Sequence, residues 1–176
     1  MAKLRKTLGH WDDPSVRALM ALIDTQSKES IRRWCLDYAA AHMLPIFERR
    51  CPGDDRPRRA LTAAAQYLDG QVKFPEVKRV ILQECHAAAR ELAHDPVAQA
   101  AARACGQGAA VVHTLSHSLG LYFYGAAAVA YDKLGLSASA QADDEIAQQV
   151  CEHLRQSLQA VAVADEPNPA KIKWYC

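Results

Sequence analysis

The sequence predicts an all-α fold, a single-domain bundle of about six or seven helices with a long Ala/Gly-rich central helix. Three observations carry this. Alanine, the best helix former, fills 33 of the 176 positions, while threonine, valine and isoleucine are sparse. No segment alternates apolar and polar residues with the period of two that a strand requires. Helix-start signals, an aspartate or a short polar run followed by proline, recur along the chain. The chain is 50% hydrophobic and 23% charged with net charge +1. That is enough apolar surface for one real core, and it excludes a disordered or disulfide-stapled chain. Near-neutral charge also argues against a dedicated nucleic-acid binder.

The elements follow in order. Asp13-Pro14 opens a first helix, with Asp13 as N-cap and Val16, Leu19, Met20 and Ile23 on one face. A second begins near Ser27 or Ser30, with Ile31, Trp34, Cys35, Tyr38 and His42 as its stripe. Pro45 lacks a backbone donor and kinks or breaks it before Ile46 and Phe47. Cys51-Pro52-Gly53-Asp54-Asp55 is loop chemistry ending in an N-cap, and a third helix runs to about Asp69-Gly70. Phe74-Pro75-Glu76 starts a fourth. Its apolar face is Val77, Val80, Ile81, Ala88 and Leu92, with Arg79, Gln83, His86 and Arg90 on another face. Asp95-Pro96 opens the long Ala/Gly-rich helix, which Gly135 ends. After a polar linker over 137–142, the last helix carries Ile146, Val150, Leu154, Leu158 and Val161 in one stripe. Residues 165–176 form an extended tail that docks through Trp174.

No apolar run follows Lys3, Arg5 and Lys6, so the N-terminus does not read as a signal peptide. Six cysteines are widely spaced with no C-x-x-C pair, so neither a structural zinc site nor a redox motif is supported. They read as buried hydrophobes or free thiols in a reduced, cytoplasmic protein. The stretch between Arg103 and Asp132 holds no Asp, Glu, Lys or Arg. Its glutamine, histidines, serines and four glycines fit a helix buried by its neighbours better than a membrane span. Residues 1–60 carry 12 basic and 8 acidic side chains and residues 141–176 carry 3 and 6, which reads as solvated faces of different sign.

Chemistry concentrates in two places. Asp54-Asp55-Arg56-Pro57-Arg58-Arg59 puts three arginines in a first helical turn, where they oppose the macrodipole and so need partners. Those partners are carboxylates on neighbouring helices, or an anion. His113 and His117 stand at i and i+4 on the predicted long helix, with Gly120 and Tyr124 extending that face. This spacing can place two imidazoles on one metal, with His86 or Asp55 as a third ligand. It also suits two histidines hydrogen-bonded in a helical core. Ser116 and Ser118 beside histidines point to different faces, and no phosphate loop or dinucleotide fingerprint is present.

Four blocks together resemble the bacterial putative immunity protein family, an all-helical domain linked to polymorphic toxin systems. The first is Trp34-Cys35-Leu36-Asp37-Tyr38-Ala39 followed by Leu44-Pro45-Ile46-Phe47-Glu48. The second is Pro52 to Ala60, and the third is His86-Ala87-Ala88-Ala89-Arg90. The fourth is Ala101 to Gln107 with His113, His117, Gly120 and Tyr124. The resemblance spans about residues 28–131. It implies a non-catalytic cytoplasmic protein that binds and neutralises a cognate toxin, with no cofactor. Asp55, Arg56, Arg58, His86, Arg90, Arg103, His113 and His117 match the family pattern; with Asp54 and Tyr124 they form the candidate partner-binding or structural polar network. The small pair that follows the glycine in the family is replaced by Leu121-Tyr122, so Leu121-Tyr122-Phe123-Tyr124 could instead form an exposed aromatic partner patch.

Two other readings stand beside this one. One is a helical-bundle metal protein or enzyme using His86, His113 and His117 with Asp55. The other is a self-associating structural or regulatory module, recognisable by an exposed apolar stripe on the last helix. On the network reading, Arg58→Ala and His117→Ala each destabilise the fold by roughly 1–3 kcal/mol through unsatisfied buried partners.

Overall fold

The computed structural model describes residues 4–174. Lys3, Cys176 (the last of the six cysteines) and the end of the 165–176 tail lie outside them. Every regular element among the described residues is helical. In chain order these are α1 (Pro14–Asp24), α2 (Lys28–Tyr38), α3 (Leu44–Arg50), α4 (Arg56–Leu68), α5 (Phe74–Arg79), α6 (His86–Glu91), α7 (Pro96–Ala110), α8 (His117–Leu134) and α9 (Ala140–Val161). Two π-helical turns, Ala39–Met43 and Val80–Cys85, join α2 to α3 and α5 to α6 without a loop, so seven helical rods result.

The first π turn is the chain's answer to Pro45. Proline cannot donate to the carbonyl four residues back, and its ring crowds that carbonyl. The helix widens instead, and the Leu44 N–H bonds the Ala39 carbonyl five residues earlier. The second π turn ends in the same way, with the His86 N–H on the Ile81 carbonyl. The extra residue breaks the 3.6 period and resets which side of the rod His86 and Arg90 occupy.

Capping signals hold by position but not always by bond. Ser27, Asp95 and Ser139 accept from the backbone N–H three residues on, at 3.2, 3.1 and 3.1 Å. Asp13 and Asp55 stand at N-cap positions without a side-chain cap bond. Asp13 turns back to accept the His10 N–H at 2.9 Å, and Asp54 accepts the Arg56 N–H at 3.1 Å.

The predicted long central helix is instead a hairpin. Its first arm, α7, ends at Ala110, a turn runs through residues 111–116, and α8 folds back against α7. A single helix over 96–134 would be roughly 58 Å long at 1.5 Å per residue, about twice the width of a small domain. Half of its apolar surface would then lack a partner. The break falls at β-branched Val111, Val112 and Thr114, which favour a helix less than the alanines around them, and packing selects it there over the glycines within either arm. His113 therefore sits in the turn and His117 opens α8, which corrects their placement on one helix face.

At the centre lies α7, touching α2, α3, α4, α6, α8 and both π turns. Eleven of its fifteen residues are buried, almost all alanine or glycine. On the far side of α8, α9 packs against α1, α2 and α8 through Ile146, Val150, Leu154 and Leu158. That stripe is covered; only its last predicted member, Val161, is exposed. Leu121 and Tyr122 are buried too, so the exposed aromatic patch is corrected: they fill the core, leaving Phe123 and Tyr124 half-buried. No helix among the described residues is long and apolar enough to cross a membrane.

The flanking segments close this core. Leu8 is buried, its N–H bonds the Phe123 carbonyl at 3.2 Å, and Tyr131 donates to the Arg5 carbonyl at 2.5 Å. Gly9 has φ +79°, and a Cβ there would run into the Tyr122 ring. At the other end, buried Gln26 exchanges bonds with the Val163 backbone, and the Ala170 N–H bonds the Gln26 carbonyl at 2.7 Å. The tail does dock through Trp174, whose indole N–H reaches Asp24 at 3.0 Å.

Gly108 fixes the crossing of α7 with the first π turn. A Cβ at Gly108 would lie 2.8 Å from the Ala39 Cβ and 3.4 Å from the Cys35 carbonyl oxygen. Gly108→Ala is expected to cost about 1–3 kcal/mol by overpacking. Urea unfolding measures it, and an unchanged midpoint would refute the close approach.

Candidate functional site: a ridge of ion pairs leading to an arginine and histidine pocket

The site begins at the loop before α4. Asp54 chelates the Arg56 guanidinium at 2.7–3.2 Å, and the same guanidinium reaches Glu91 at the end of α6 at 2.8 Å. Arg56 therefore ties the α4 entry to α6. Bonds from Arg56 hold the Asp54 and Glu91 carboxyls below their ordinary range, and the two carboxylates in turn raise the guanidinium's proton affinity. Arg59 bonds Glu84, which also takes Arg79 at 2.8 Å. This linked set resolves the opposition of three arginines to the helix dipole: their heads leave the helix axis and meet carboxylates.

Arg58 corrects the expectation of a buried partner. Its side chain is 58% exposed and forks onto Glu48 at 2.7 and 2.9 Å. Such a pair contributes under about 1 kcal/mol. Asp55 is also exposed, and its one ion pair among the described residues, to Arg59, is 3.7 Å long.

Beyond Glu91, helices α6, α7 and α8 line an open pocket of about 200 Å³, with Arg90 exposed at its edge. Its lining is His86, Ala89, Arg90, Arg103, Gln107 and Tyr124. His86 can lie against α7 because Gly106 leaves room: a Cβ there would stand 2.9 Å from the imidazole. The Arg103 guanidinium stacks over the Tyr124 ring at 5.7 Å. His117 Nδ1 meets Gln107 Oε1 at 2.7 Å, and Gly120 on α8 gives that amide its space. An amide oxygen only accepts, so Nδ1 carries the proton. From His117 an aromatic run continues through His113 (centroids 5.3 Å), Phe74 (5.7 Å) and Tyr67 (5.8 Å).

Of the residues named from sequence, His86, Arg90, Arg103 and Tyr124 converge on this pocket. His117 buttresses it through Gln107, and Asp54 and Arg56 reach it through Glu91. Asp55, Arg58 and His113 stand apart from it. Among the described residues no group of three or more His, Cys, Asp or Glu lies together so as to hold a metal ion. Gln107 and Glu91 were missed as site residues. The visible signal for Gln107 was its position between Gly106 and Gly108, since paired glycines inside a helix mark close approaches on both sides.

Burial lowers the proton affinity of His86, and neighbouring Arg90 lowers it further. Burial does the same to His117, helped by His113 and His86, and to His113, helped by Lys78. The buried thiols are pushed the other way, Cys85 to about 12 and Cys151 to about 11, so they stay unreactive.

Comparison with known proteins places the chain beside a described family. The family model described as Imm-5 like putative immunity protein aligns with residues 21–157. No curated protein and no solved structure matches.

Two outcomes follow for the network. The unfolded chain protonates its imidazoles near the ordinary value of 6.5, whereas the folded chain resists until lower pH. The unfolded state thus binds more protons, and stability falls as pH drops below about 6.5. The lowered Asp54 carboxyl adds a second loss only below its ordinary value of 3.8. Urea midpoints between these values should decline with acid, and His86→Asn and His117→Asn should each flatten the slope; a flat wild-type profile would contradict the burial. Arg56→Ala should cost about 1–2 kcal/mol because two carboxylates lose one shared guanidinium. Arg58→Ala should cost under about 1 kcal/mol. Reversal of that order in thermal unfolding would show the ranking wrong.

Proposed function

The chain belongs to the Imm-5 like putative immunity protein family, and from that membership we propose that it binds a cognate bacterial toxin domain and neutralises it without catalysis. The observation that carries the reading is the span of the family match. Residues 21–157 include the whole ridge from Asp54 and the pocket through Tyr124. Neutralisation by occlusion needs a complementary surface with anchored arginines and aromatics and a charged rim. Arg90, Arg103 and half-buried Tyr124 supply the anchors, and the exposed pairs Arg58–Glu48 and Arg59–Glu84 supply the rim.

The alternative using His86, His113 and His117 on one metal finds no third ligand beside the His113–His117 pair among the described residues. Covering of the α9 stripe removes the feature that motivated a self-associating module.

Co-expression with each toxin-like product encoded beside this gene, followed by affinity capture and a growth assay, tests the proposal. One product should co-purify and lose its toxicity. Arg103→Ala and Tyr124→Ala should weaken capture by about 1–3 kcal/mol each, with thermal midpoints near wild type. Failure of every neighbouring product to bind would overturn the function, while full binding by both variants would overturn only the face.

A further inference from the structure

The arginines of this chain are distributed unevenly in their partners. Nine of the thirteen hold carboxylate ion pairs among the described residues. Arg17 instead lies over Trp11, and the buried Nε of Arg32 has no hydrogen-bond partner among the described residues. The remaining two, Arg90 and Arg103, line the same 200 Å³ pocket, which has no carboxylate in its lining. Glu91, a carboxylate that feels Arg90's charge, is committed to Arg56 at 2.8 Å.

The other lining groups extend the pattern. His117 occupies the Gln107 oxygen, so the amide NH₂ is left as a pair of donors with no partner among the described residues. Two arginines, that glutamine and Tyr124, all residues that carry donors, therefore line one small space. Stacking on Tyr124 holds the Arg103 fork in place before any ligand arrives, which reduces the ordering cost of binding. A space lined by donors and positive charge is complemented by a group that only accepts and is negative. Its volume admits a carboxylate or phosphate group with water beside it.

We propose that the pocket formed by His86, Arg90, Arg103, Gln107 and Tyr124 is an oxyanion-binding site, its guanidiniums bonding the oxygens of one carboxylate- or phosphate-class group. Two sources offer this chemistry: a small free anion, and an acidic side chain presented by a bound protein. The proposal stands whether or not the partner is a toxin, because it concerns the pocket alone.

Occupancy also leaves a mark on His86. The groups facing its imidazole are Arg90 on its own helix, Arg103 and Gln107 from α7, Tyr124 and His117 from α8, and its neighbour Cys85, whose thiol bonds the Ala102 carbonyl. With burial and the Arg90 charge holding the imidazole neutral, an incoming negative charge favours the imidazolium.

The test is a titration of the isotopically labelled full chain, followed by NMR, with inorganic phosphate in one arm and N-acetyl-glutamate amide in the other. Saturable shifts of the Gln107 amide and the His86 ring are expected. At saturation the His86 titration midpoint should move upward, a readout that needs no variant. Arg90→Gln and Arg103→Gln should each weaken binding about tenfold or more, whereas Arg155→Gln, remote on α9, should not. Binding of phosphate alone identifies a free oxyanion as the ligand, and binding of the blocked glutamate identifies an acidic side chain; both sustain the site. Absence of saturable shifts in both arms, or an unmoved His86 midpoint at saturation, overturns it.

Discussion

The constraint on which this molecule depends is the bare surface of α7. A helix whose buried residues are nearly all alanine and glycine offers almost no side-chain volume, so its neighbours must come close to exclude water. Gly106 admits the His86 ring, Gly108 admits the Ala39 methyl, and on the returning arm Gly120 admits the Gln107 amide. Each approach orients a neighbour as well as burying it. Replace the small residues by large ones and the hairpin, both π turns and the pocket would all have to move.

That arrangement divides the labour between apolar and polar groups. Stability comes from the packed interior around α7, α8 and α9, where Leu154, Leu158, Tyr122 and, from α3, Phe47 are fully enclosed. The ion pairs lie on the perimeter, and exposed pairs contribute little individually because water screens them. Their effect is on placement. Arg56 joins the α4 entry to the end of α6, and Glu84 gathers Arg59 and Arg79 across α4 and the second π turn. Groups that add little to folding free energy are free to face a partner, which suits a protein of an immunity family.

The pocket is the exception within this perimeter. Everywhere else a guanidinium near the surface of α4 to α6 meets a carboxylate; at Arg90 and Arg103 it meets a glutamine, a tyrosine and a histidine. Those residues come from three helices, and their meeting depends on the π turn before His86 and on Gly106. An unbalanced pair of cations held by packed helices is an asset only if something negative arrives.

Much of the architecture was legible in the amino-acid order because local physics enforces it. Alanine content, Asp-Pro and Ser starts and the stripe of α9 determine that the chain is helical and roughly where rods begin, since propensity and capping act within a few residues. The blocks around Trp34, Pro52, His86 and Ala101 sufficed for the family resemblance. What the tertiary structure decided is where local signals were silent or balanced. Residues 96–134 offer several weak points, glycines as well as the β-branched residues at 111–114, and the need to bury two apolar arms against each other selects the break at Val111. Periodicity placed His113 and His117 together on one helix face and could not see that a π turn would carry His86 and Arg90 toward Arg103, 13 residues beyond Arg90 in the chain. Whether a surface arginine finds a carboxylate depends on which helices become neighbours. That is a long-range outcome of packing around α7, and no spacing along the chain encodes it.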